Sequence, residues 1–266
     1  MRGWVALSNA QNMPKVRVDR VLCYEDLLGS ASGDYDWPQF DENTASALCY
    51  TSSTTGNPKG VLYSHRSSVL HAFAACAADG LAFRARDCIL VVVPLFHATA
   101  WSTPFSAAMC GAKLVLPGPK LDPESIYMLL EREGCTTAGG IPTIWLNFLA
   151  WIEADLDKLD LGRIKLKQVL CGGTAVPRAT VEKFRDPFGV FVLHAWGMTE
   201  TSPLVTLSSP LAKHDSARPD EIVAMSGTTS LRRRVEARRP ERRRPCARQQ
   251  VRCRAEGQGQ LGGLGL

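Results

Sequence analysis

A hydroxyl-rich stretch between Tyr50 and Gly60 carries the residue types best suited to binding phosphate. It contains five consecutive Ser and Thr residues, then Gly56, and then an Asn-Pro-Lys-Gly turn. The hydroxyls and the backbone N–H groups can donate hydrogen bonds, the two glycines allow unusual backbone angles, and Lys59 adds a positive charge. The five hydroxyl residues are Thr51, Ser52, Ser53, Thr54 and Thr55. A Ser/Thr-rich surface turn is the alternative interpretation.

Two further segments contain residues that suit a binding site. Pro94–Trp101 contains His97 beside a phenylalanine, where a histidine is either a core residue or a catalyst. Cys171–Pro177 contains Gly172 and Gly173 ahead of a predicted helix. The backbone can pass close to a ligand at two glycines, and a helix N-terminus attracts anions. A simple tight turn is the alternative interpretation of this glycine pair.

A last segment, His194–Pro203, combines an aromatic residue, a glycine, a hydroxyl and a carboxylate within five positions. Trp196 could lie against adenine, Thr199 could hydrogen-bond an α-phosphate, and Glu200 could hold Mg²⁺. In isolation this pattern is weak. Its position after the hydroxyl-rich stretch on the same chain makes it a strong indication of a nucleotide site.

Alternating strands and helices are predicted to position these four segments. The predicted strands are 45–50, 61–63, 89–95, 112–116, 135–138, 166–171 and 190–194, and the predicted helices are 64–78, 101–110, 122–134, 142–154 and 177–184. This order is typical of an α/β fold with a mostly parallel sheet flanked by helices. Ligands bind beyond the carboxyl ends of the strands in such sheets, and the motifs fall there.

Capping residues define two of these helices. Asp122 and Pro123 begin one of them, and Gly134 ends it. Ser64 is the predicted cap of the other. Its predicted apolar face comprises Val69, Leu70, Phe73 and Ala77. Residues 1–44 carry few periodic signals. Gly29, Ser30, Ser32 and Gly33 are predicted to form a loop, and Tyr35–Phe40 an aromatic patch.

The hydroxyl-rich stretch resembles the phosphate loop of the adenylate-forming (AMP-binding) superfamily, [ST]-[ST]-G-[ST]-T-G-x-P-K-G. This superfamily contains acyl-CoA synthetases, luciferases and the adenylation domains of peptide synthetases. The other three segments resemble further motifs of the superfamily in the same order, and the likeness covers about residues 40–225. Ser53 departs from the pattern because the family has glycine there. Its Cβ would be strained at a positive φ or would crowd the phosphates.

The resemblance implies roles for the matched residues. The implied catalytic residues are Lys59, His97, Thr199 and Glu200. The implied nucleotide-binding residues are Thr51, Ser52, Ser53, Thr54, Thr55, Gly56, Lys59, Gly172, Gly173, Thr174, Ala195, Trp196, Gly197 and Thr199. The implied acyl-substrate residues are His97, Trp101 and Gly173, with Trp101 matching the tryptophan that gates the acyl channel. The implied Mg²⁺ ligands are Thr51 and Glu200.

The implied activity is that of a medium- or long-chain fatty acyl-CoA synthetase, which converts a fatty acid to acyl-AMP and then to acyl-CoA. ATP, Mg²⁺ and coenzyme A would take part, and the partners would be small molecules rather than nucleic acid. Three alternatives remain open. They are a ligase for an aryl or amino acid, a nucleic-acid-binding protein that acts through a basic tail, and a pseudogene product without function.

The matched region predicts only part of the large N-terminal domain of an acyl-CoA synthetase. We expect an incomplete AMP-binding domain over residues 1–225. No segment resembles the ribose-binding motif, the hinge or the C-terminal domain, and the last lysine is Lys213. We therefore expect weak or absent nucleotide binding and no measurable acyl-CoA formation. The resemblance also allows a homodimer in an intact family member.

Charge separates the last 41 residues from the rest of the chain. Residues 226–266 contain eleven Arg, no Lys and three Glu, a net charge of +8, whereas residues 1–225 carry −3. This Arg/Gly-rich tail has no helix or strand period, so we expect disorder. Out-of-frame translation of a GC-rich gene is the favoured explanation, and a phosphate-binding basic arm is the alternative.

Cysteine usage and hydropathy favour a cytoplasmic protein. The nine cysteines are scattered without a Cys-x-x-Cys pair, which favours buried, reduced thiols and argues against a zinc site. The longest apolar run, Cys88–Phe96, has nine residues, which is too short for a transmembrane segment. No apolar stretch of secretory length follows Met1.

Overall fold

A computed structural model describes residues 4–51, 57–210 and 228–229. Its N-terminal part forms two small sheets, each followed by a helix. The first contains the parallel strands β1 (Trp4–Ala6) and β2 (Val21–Cys23) and leads into α1 (Tyr24–Ser30). The second is an antiparallel hairpin of β3 (Ala45–Thr51) and β4 (Lys59–Ser64) that leads into α2 (His65–Cys76).

The following elements build the main sheet and its flanking helices. They are β5 (Cys88–Val91), α3 (Ala98–Trp101), α4 (Thr103–Cys110), β6 (Lys113–Val115), α5 (Pro123–Glu133), β7 (Thr137–Gly140), α6 (Pro142–Ala154), β8 (Gln168–Gly172), α7 (Arg178–Phe188), β9 (Phe191–Gly197), β10 (Leu204–Leu207) and β11 (Thr228–Thr229). The strand order in this seven-stranded sheet is β11-β10-β9-β8-β7-β5-β6. Strands β5 to β9 pair in parallel, and β10 and β11 are antiparallel. The predicted α/β fold with a mostly parallel sheet is confirmed.

Along β5, β8 and β9, successive residues alternate between two hydrophobic clusters, so both faces of the centre of the main sheet are buried. On β5, Leu90 belongs to the cluster under α5, α6 and α7, whereas Ile89 belongs to the cluster on the α4 side. The largest buried side chains of the first cluster are Trp145 and Phe184, whose rings meet edge to face with centroids 5.9 Å apart. This packing fixes the ends of the strands from which the predicted motifs emerge.

Helix α5 follows its predicted boundary signals. The Asp122 carboxylate accepts a hydrogen bond from the Ser125 N–H at 2.9 Å, and Pro123 occupies the first turn. Gly134 ends the helix in the left-handed conformation, with φ +64°, which a glycine adopts without a steric penalty. The capping residues therefore predicted both ends of α5 correctly.

Helix α2 begins as predicted but buries a different face. Ser64 caps it through a hydrogen bond from the Ser67 N–H at 3.1 Å. The prediction that Val69, Leu70 and Phe73 form the buried face is wrong, since these side chains are exposed. The buried positions are instead Ser68, Ala72 and Ala75. Apolar residues occupy several sides of this helix, and small residues let it pack closely against α4.

The N-terminal segment contains more regular structure than its sequence indicates. Residues 4–30 include β1, β2 and α1, and Gly29 and Ser30, which were predicted as loop, lie at the end of α1. Within the predicted tail, Thr228–Thr229 forms β11 and pairs with β10, while residues 230–266 lie outside the described residues. The seven cysteines of the described ranges are free. None of the helices in those ranges has the length and hydropathy needed to cross a membrane.

Candidate functional site

A cavity of about 230 Å³ opens beyond the carboxyl ends of strands β5, β8 and β9. Three of the four predicted motifs contribute to its walls. The predicted site residues that line it are His97, Trp101, Gly172, Gly173, Ala195, Gly197 and Thr199. Ala98, Met198, Pro203 and Leu204 also line it and were not predicted. The parallel sheet thus gathers segments separated by about a hundred positions into one concave site.

Glycine is required at two of these positions because neighbouring atoms come very close. A Cβ on Gly172 would lie 2.8 Å from the Ala195 carbonyl oxygen and 3.3 Å from the Trp101 ring. A Cβ on Gly197 would lie 2.1 Å from the Pro203 carbonyl oxygen. These close approaches bring β8, β9 and the Trp101 ring together at the cavity.

The segment after His97, α3, is a single left-handed helical turn built without glycine. Ala98, Thr99, Ala100, Trp101 and Ser102 have φ between +47° and +59°. This conformation costs an L-residue about 1–2 kcal/mol, so the surrounding packing must hold it. The turn buries the Trp101 ring against the cavity, with 7% of the residue exposed. The predicted right-handed helix over 101–110 is therefore wrong at its start, and α4 begins at Thr103.

The fourth motif forms a tight turn after β9. Residues Thr199–Thr201 form one turn of 3₁₀-helix, and the Met198 N–H donates to Thr201 Oγ1 at 2.9 Å and to the Pro203 carbonyl at 3.1 Å. Thr199 reaches the cavity, whereas Trp196 and Glu200 are exposed outside its lining. Thr199 therefore lines the cavity, and Trp196 does not.

The β3–β4 hairpin carries the ends of the predicted phosphate loop. Thr51 and Lys59 are cross-strand partners on the same face of the hairpin as Tyr63, and the Thr51 hydroxyl donates to the Lys59 carbonyl at 3.4 Å. Residues 52–56, which were predicted to bind phosphate, lie outside the described residues. Lys59, Thr51 and Thr174 do not line the cavity itself.

Tyr63 connects this hairpin to the fourth motif. Its hydroxyl donates a hydrogen bond to the Thr199 carbonyl oxygen at 2.6 Å, across 136 positions of sequence. Burial, with smaller effects of Cys49 and the nearby Glu200, raises the pKa of Tyr63 to about 12. Sequence reasoning missed this residue because no local pattern signals a contact over such a distance.

The candidate Mg²⁺ ligands are few. Among the residues that the structure describes, there is no group of three or more His, Cys, Asp or Glu side chains able to hold a metal. Mg²⁺ commonly binds through one or two carboxylates together with substrate phosphates and water. The exposed Glu200 carboxylate is suited to that kind of coordination, in which most ligands come from the nucleotide.

Comparison with known proteins assigns the family. Residues 6–229 match the family of AMP-binding enzymes. The chain belongs to this family. As a member of the AMP-binding family it has the predicted fold.

Two curated relatives are similar over most of the chain. The medium-chain-fatty-acid–CoA ligase of Ectopseudomonas oleovorans is 47% identical over 225 residues, which are 85% of this chain and 40% of that protein. The 3-methylmercaptopropionyl-CoA ligase of Ruegeria pomeroyi is 48% identical over 198 residues, which are 74% of this chain and 36% of that protein. The chain thus spans about two fifths of the length of these relatives.

A solved structure agrees in fold. The long-chain-fatty-acid–CoA ligase of Archaeoglobus fulgidus superposes with a TM-score of 0.66 at 23% identity, over 80% of this chain and 44% of that one. At this identity the likeness supports the fold alone.

Proposed function

We propose that the protein takes part in ATP-dependent activation of a fatty acid to acyl-AMP and then to acyl-CoA. The observation that carries this proposal is the shared cavity lined by His97, Gly172, Gly173 and Thr199. Three motifs that are far apart in sequence meet there, beyond the carboxyl ends of the strands, where α/β sheets bind ligands. The relatives named above, which include a medium-chain fatty acid ligase, support the reaction class.

The chemistry explains why such a site needs cations and hydrogen-bond donors. A carboxylate oxygen attacks the α-phosphorus of ATP, the new P–O bond forms, and pyrophosphate leaves with the electron pair of the broken bond. Both reactants are negatively charged, so their approach must be stabilised electrostatically. Lys59, the amides of the phosphate loop and the Thr199 hydroxyl are the groups that we assign to this task. The thiol of coenzyme A would then attack the acyl carbonyl and release AMP.

Glu200 and Thr51 are the residues that would hold Mg²⁺ according to the family resemblance. The ion would neutralise charge on the phosphates. Glu200 follows Thr199, whose carbonyl oxygen Tyr63 contacts, whereas Thr51 pairs with Lys59 at the opposite end of the hairpin, about 13 Å from Tyr63 along the strand. The Glu200 carboxylate suits Mg²⁺ with phosphates and water as further ligands, and the role of Thr51 rests on the family resemblance alone.

The acyl group would lie against His97 and the buried Trp101 ring. The Trp101 ring and the backbone at Gly172 close this side of the cavity. The Ectopseudomonas relative, a medium-chain-fatty-acid–CoA ligase, supports a medium- or long-chain fatty acid as the substrate. A cytoplasmic location and a homodimer remain predictions that accompany this proposal.

The test is calorimetric binding of a non-hydrolysable acyl-adenylate mimic, octanoyl-sulfamoyl-adenosine, to the full 266-residue chain. A mimic that fills both halves of the site compensates for the weak binding expected of ATP alone. We expect one molecule to bind per chain and ATP with octanoate to compete. Thr199→Ala should weaken binding about tenfold, whereas Thr44→Ala on the exposed surface should leave it unchanged. Absence of binding at millimolar mimic, or equal affinity in both variants, would contradict the proposal.

A further inference from the structure

Tyr63 is unusual among the residues of the N-terminal segment because it is buried. Within the described part of residues 4–64, only Cys23, Cys49 and Tyr63 are buried. Tyr63 is 3% exposed and its hydroxyl reaches the backbone of the Thr199–Thr201 turn on the main sheet. The sequence motifs do not account for this contact.

The acceptor of this hydrogen bond is the carbonyl that closes the turn. The Thr199 carbonyl oxygen also accepts from the Ser202 N–H at 3.4 Å. Tyr63 therefore binds one of the backbone groups that hold the turn, at a residue that also lines the cavity. A phenol with its pKa near 12 stays protonated, so it remains a donor throughout the physiological range.

Lys59 lies at the start of β4, at the opposite end of the strand from Tyr63. Tyr63 and Lys59 are four residues apart on one face of the strand, a separation of about 13 Å at the usual rise per residue. An anchor at Tyr63 consequently helps to fix how far Lys59 lies from the Thr199–Glu200 turn. Lys59 and this turn, which would contact different parts of a triphosphate, are thus related through the Tyr63 hydrogen bond.

We propose that Tyr63 is a positioning residue that sets Lys59 at the start of β4 in register with the Thr199–Glu200 turn for nucleotide binding. This inference rests on the proposed function, because it assigns the nucleotide to that site. Loss of the phenol should let the turn and the hairpin move independently. A smaller fraction of molecules would then be competent to bind, and the apparent affinity would fall by that fraction.

Tyr127 offers a matched control. It is also buried, at 7% exposure, and its hydroxyl donates to a backbone carbonyl, that of Asp160, at 3.2 Å. Tyr127 lies on α5 and does not line the cavity. Tyr63→Phe and Tyr127→Phe therefore delete the same chemical group with the same type of partner. Because both variants lose one hydrogen bond, a difference between them in binding or exchange reflects the position of Tyr63 beside the Thr199–Thr201 turn.

Two measurements test the inference. Calorimetry with octanoyl-sulfamoyl-adenosine should show about fivefold weaker binding for Tyr63→Phe and unchanged binding for Tyr127→Phe. Amide hydrogen exchange of the unliganded chain should show faster exchange over residues 199–204, the Ser202 amide above all, in Tyr63→Phe alone.

The possible outcomes distinguish a failure of the role proposed for Tyr63 from a failure of the proposed function. Equal exchange over residues 199–204 in the two variants would overturn the positioning role, whether or not the mimic binds. Faster exchange together with unchanged affinity in Tyr63→Phe would overturn it as well. Failure of the unmodified chain to bind the mimic would instead count against the proposed function, and the exchange comparison would still decide whether Tyr63 holds the turn.

Discussion

The main sheet and the N-terminal segment differ sharply in how well they are packed. Around the sheet, Trp145 and Phe184 are almost completely buried and contact each other. In the N-terminal segment, Trp37 is 83% exposed and Tyr50 is 66% exposed. Hydrophobic burial therefore stabilises the part of the molecule that forms the cavity walls, whereas the hairpin that carries the phosphate loop contributes little to the core.

The difference divides the candidate site into a rigid and a less constrained half. The glycine-lined walls come from β8 and β9, which are held from both faces. The hairpin depends on fewer attachments, chiefly the Tyr63 hydrogen bond and the contacts of α2. Substitutions in the two regions should consequently have unequal effects on folding.

The largest expected effect is the loss of a core tryptophan. Trp145→Ala should lower the free energy of unfolding by about 3–5 kcal/mol, because it leaves a cavity among buried aromatic rings. Trp37→Ala, in the N-terminal segment, should change it by less than about 0.5 kcal/mol. Urea denaturation followed by circular dichroism measures both. Comparable losses in the two variants would show that the N-terminal segment is as tightly packed as the sheet.

Substitutions of two glycines, Gly197 and Gly29, should show the next largest difference in the free energy of unfolding. Gly197→Ala should lower stability by about 2–3 kcal/mol, since its Cβ would meet the Pro203 carbonyl at 2.1 Å. A methyl group at Gly29 in α1 meets nothing within 4 Å, and Gly29→Ala should raise stability by about 0.5 kcal/mol. The same denaturation experiment would contradict this contrast if Gly197→Ala were neutral.

The hydrogen bond between His71 on α2 and Leu204 on β10 should make the free energy of unfolding depend on pH. Burial lowers the pKa of His71 to about 4 from 6.5, and its Nε2 accepts from the Leu204 N–H at 3.3 Å. The unfolded chain therefore binds the proton more tightly, and stability present above pH 6.5 falls as the pH drops toward 4. The loss between pH 7 and 5 should be about 2 kcal/mol. His71→Gln keeps an acceptor without titrating, so an equal loss in that variant would contradict the assignment.

Sequence patterns were sufficient for features that depend on local chemistry. The caps at Ser64 and Asp122 and the fully apolar run in β5 each follow from neighbouring residues. The buried face of α2 and the left-handed turn at Ala98–Ser102 could not be read in the same way. Both are set by packing partners remote in sequence, and alanines are compatible with several environments. The Tyr63–Thr199 hydrogen bond also depends on a partner remote in sequence and could not be predicted from local patterns.

The central claim is that nucleotide and acyl group bind together in the cavity at the carboxyl ends of β5, β8 and β9. Amide hydrogen exchange with and without saturating octanoyl-sulfamoyl-adenosine locates the bound molecule directly. We expect slower exchange in three segments, residues 97–102, 172–174 and 195–204, with little change in α5 and α6. Protection confined to other parts of the chain, with these three segments unchanged, would contradict the claim.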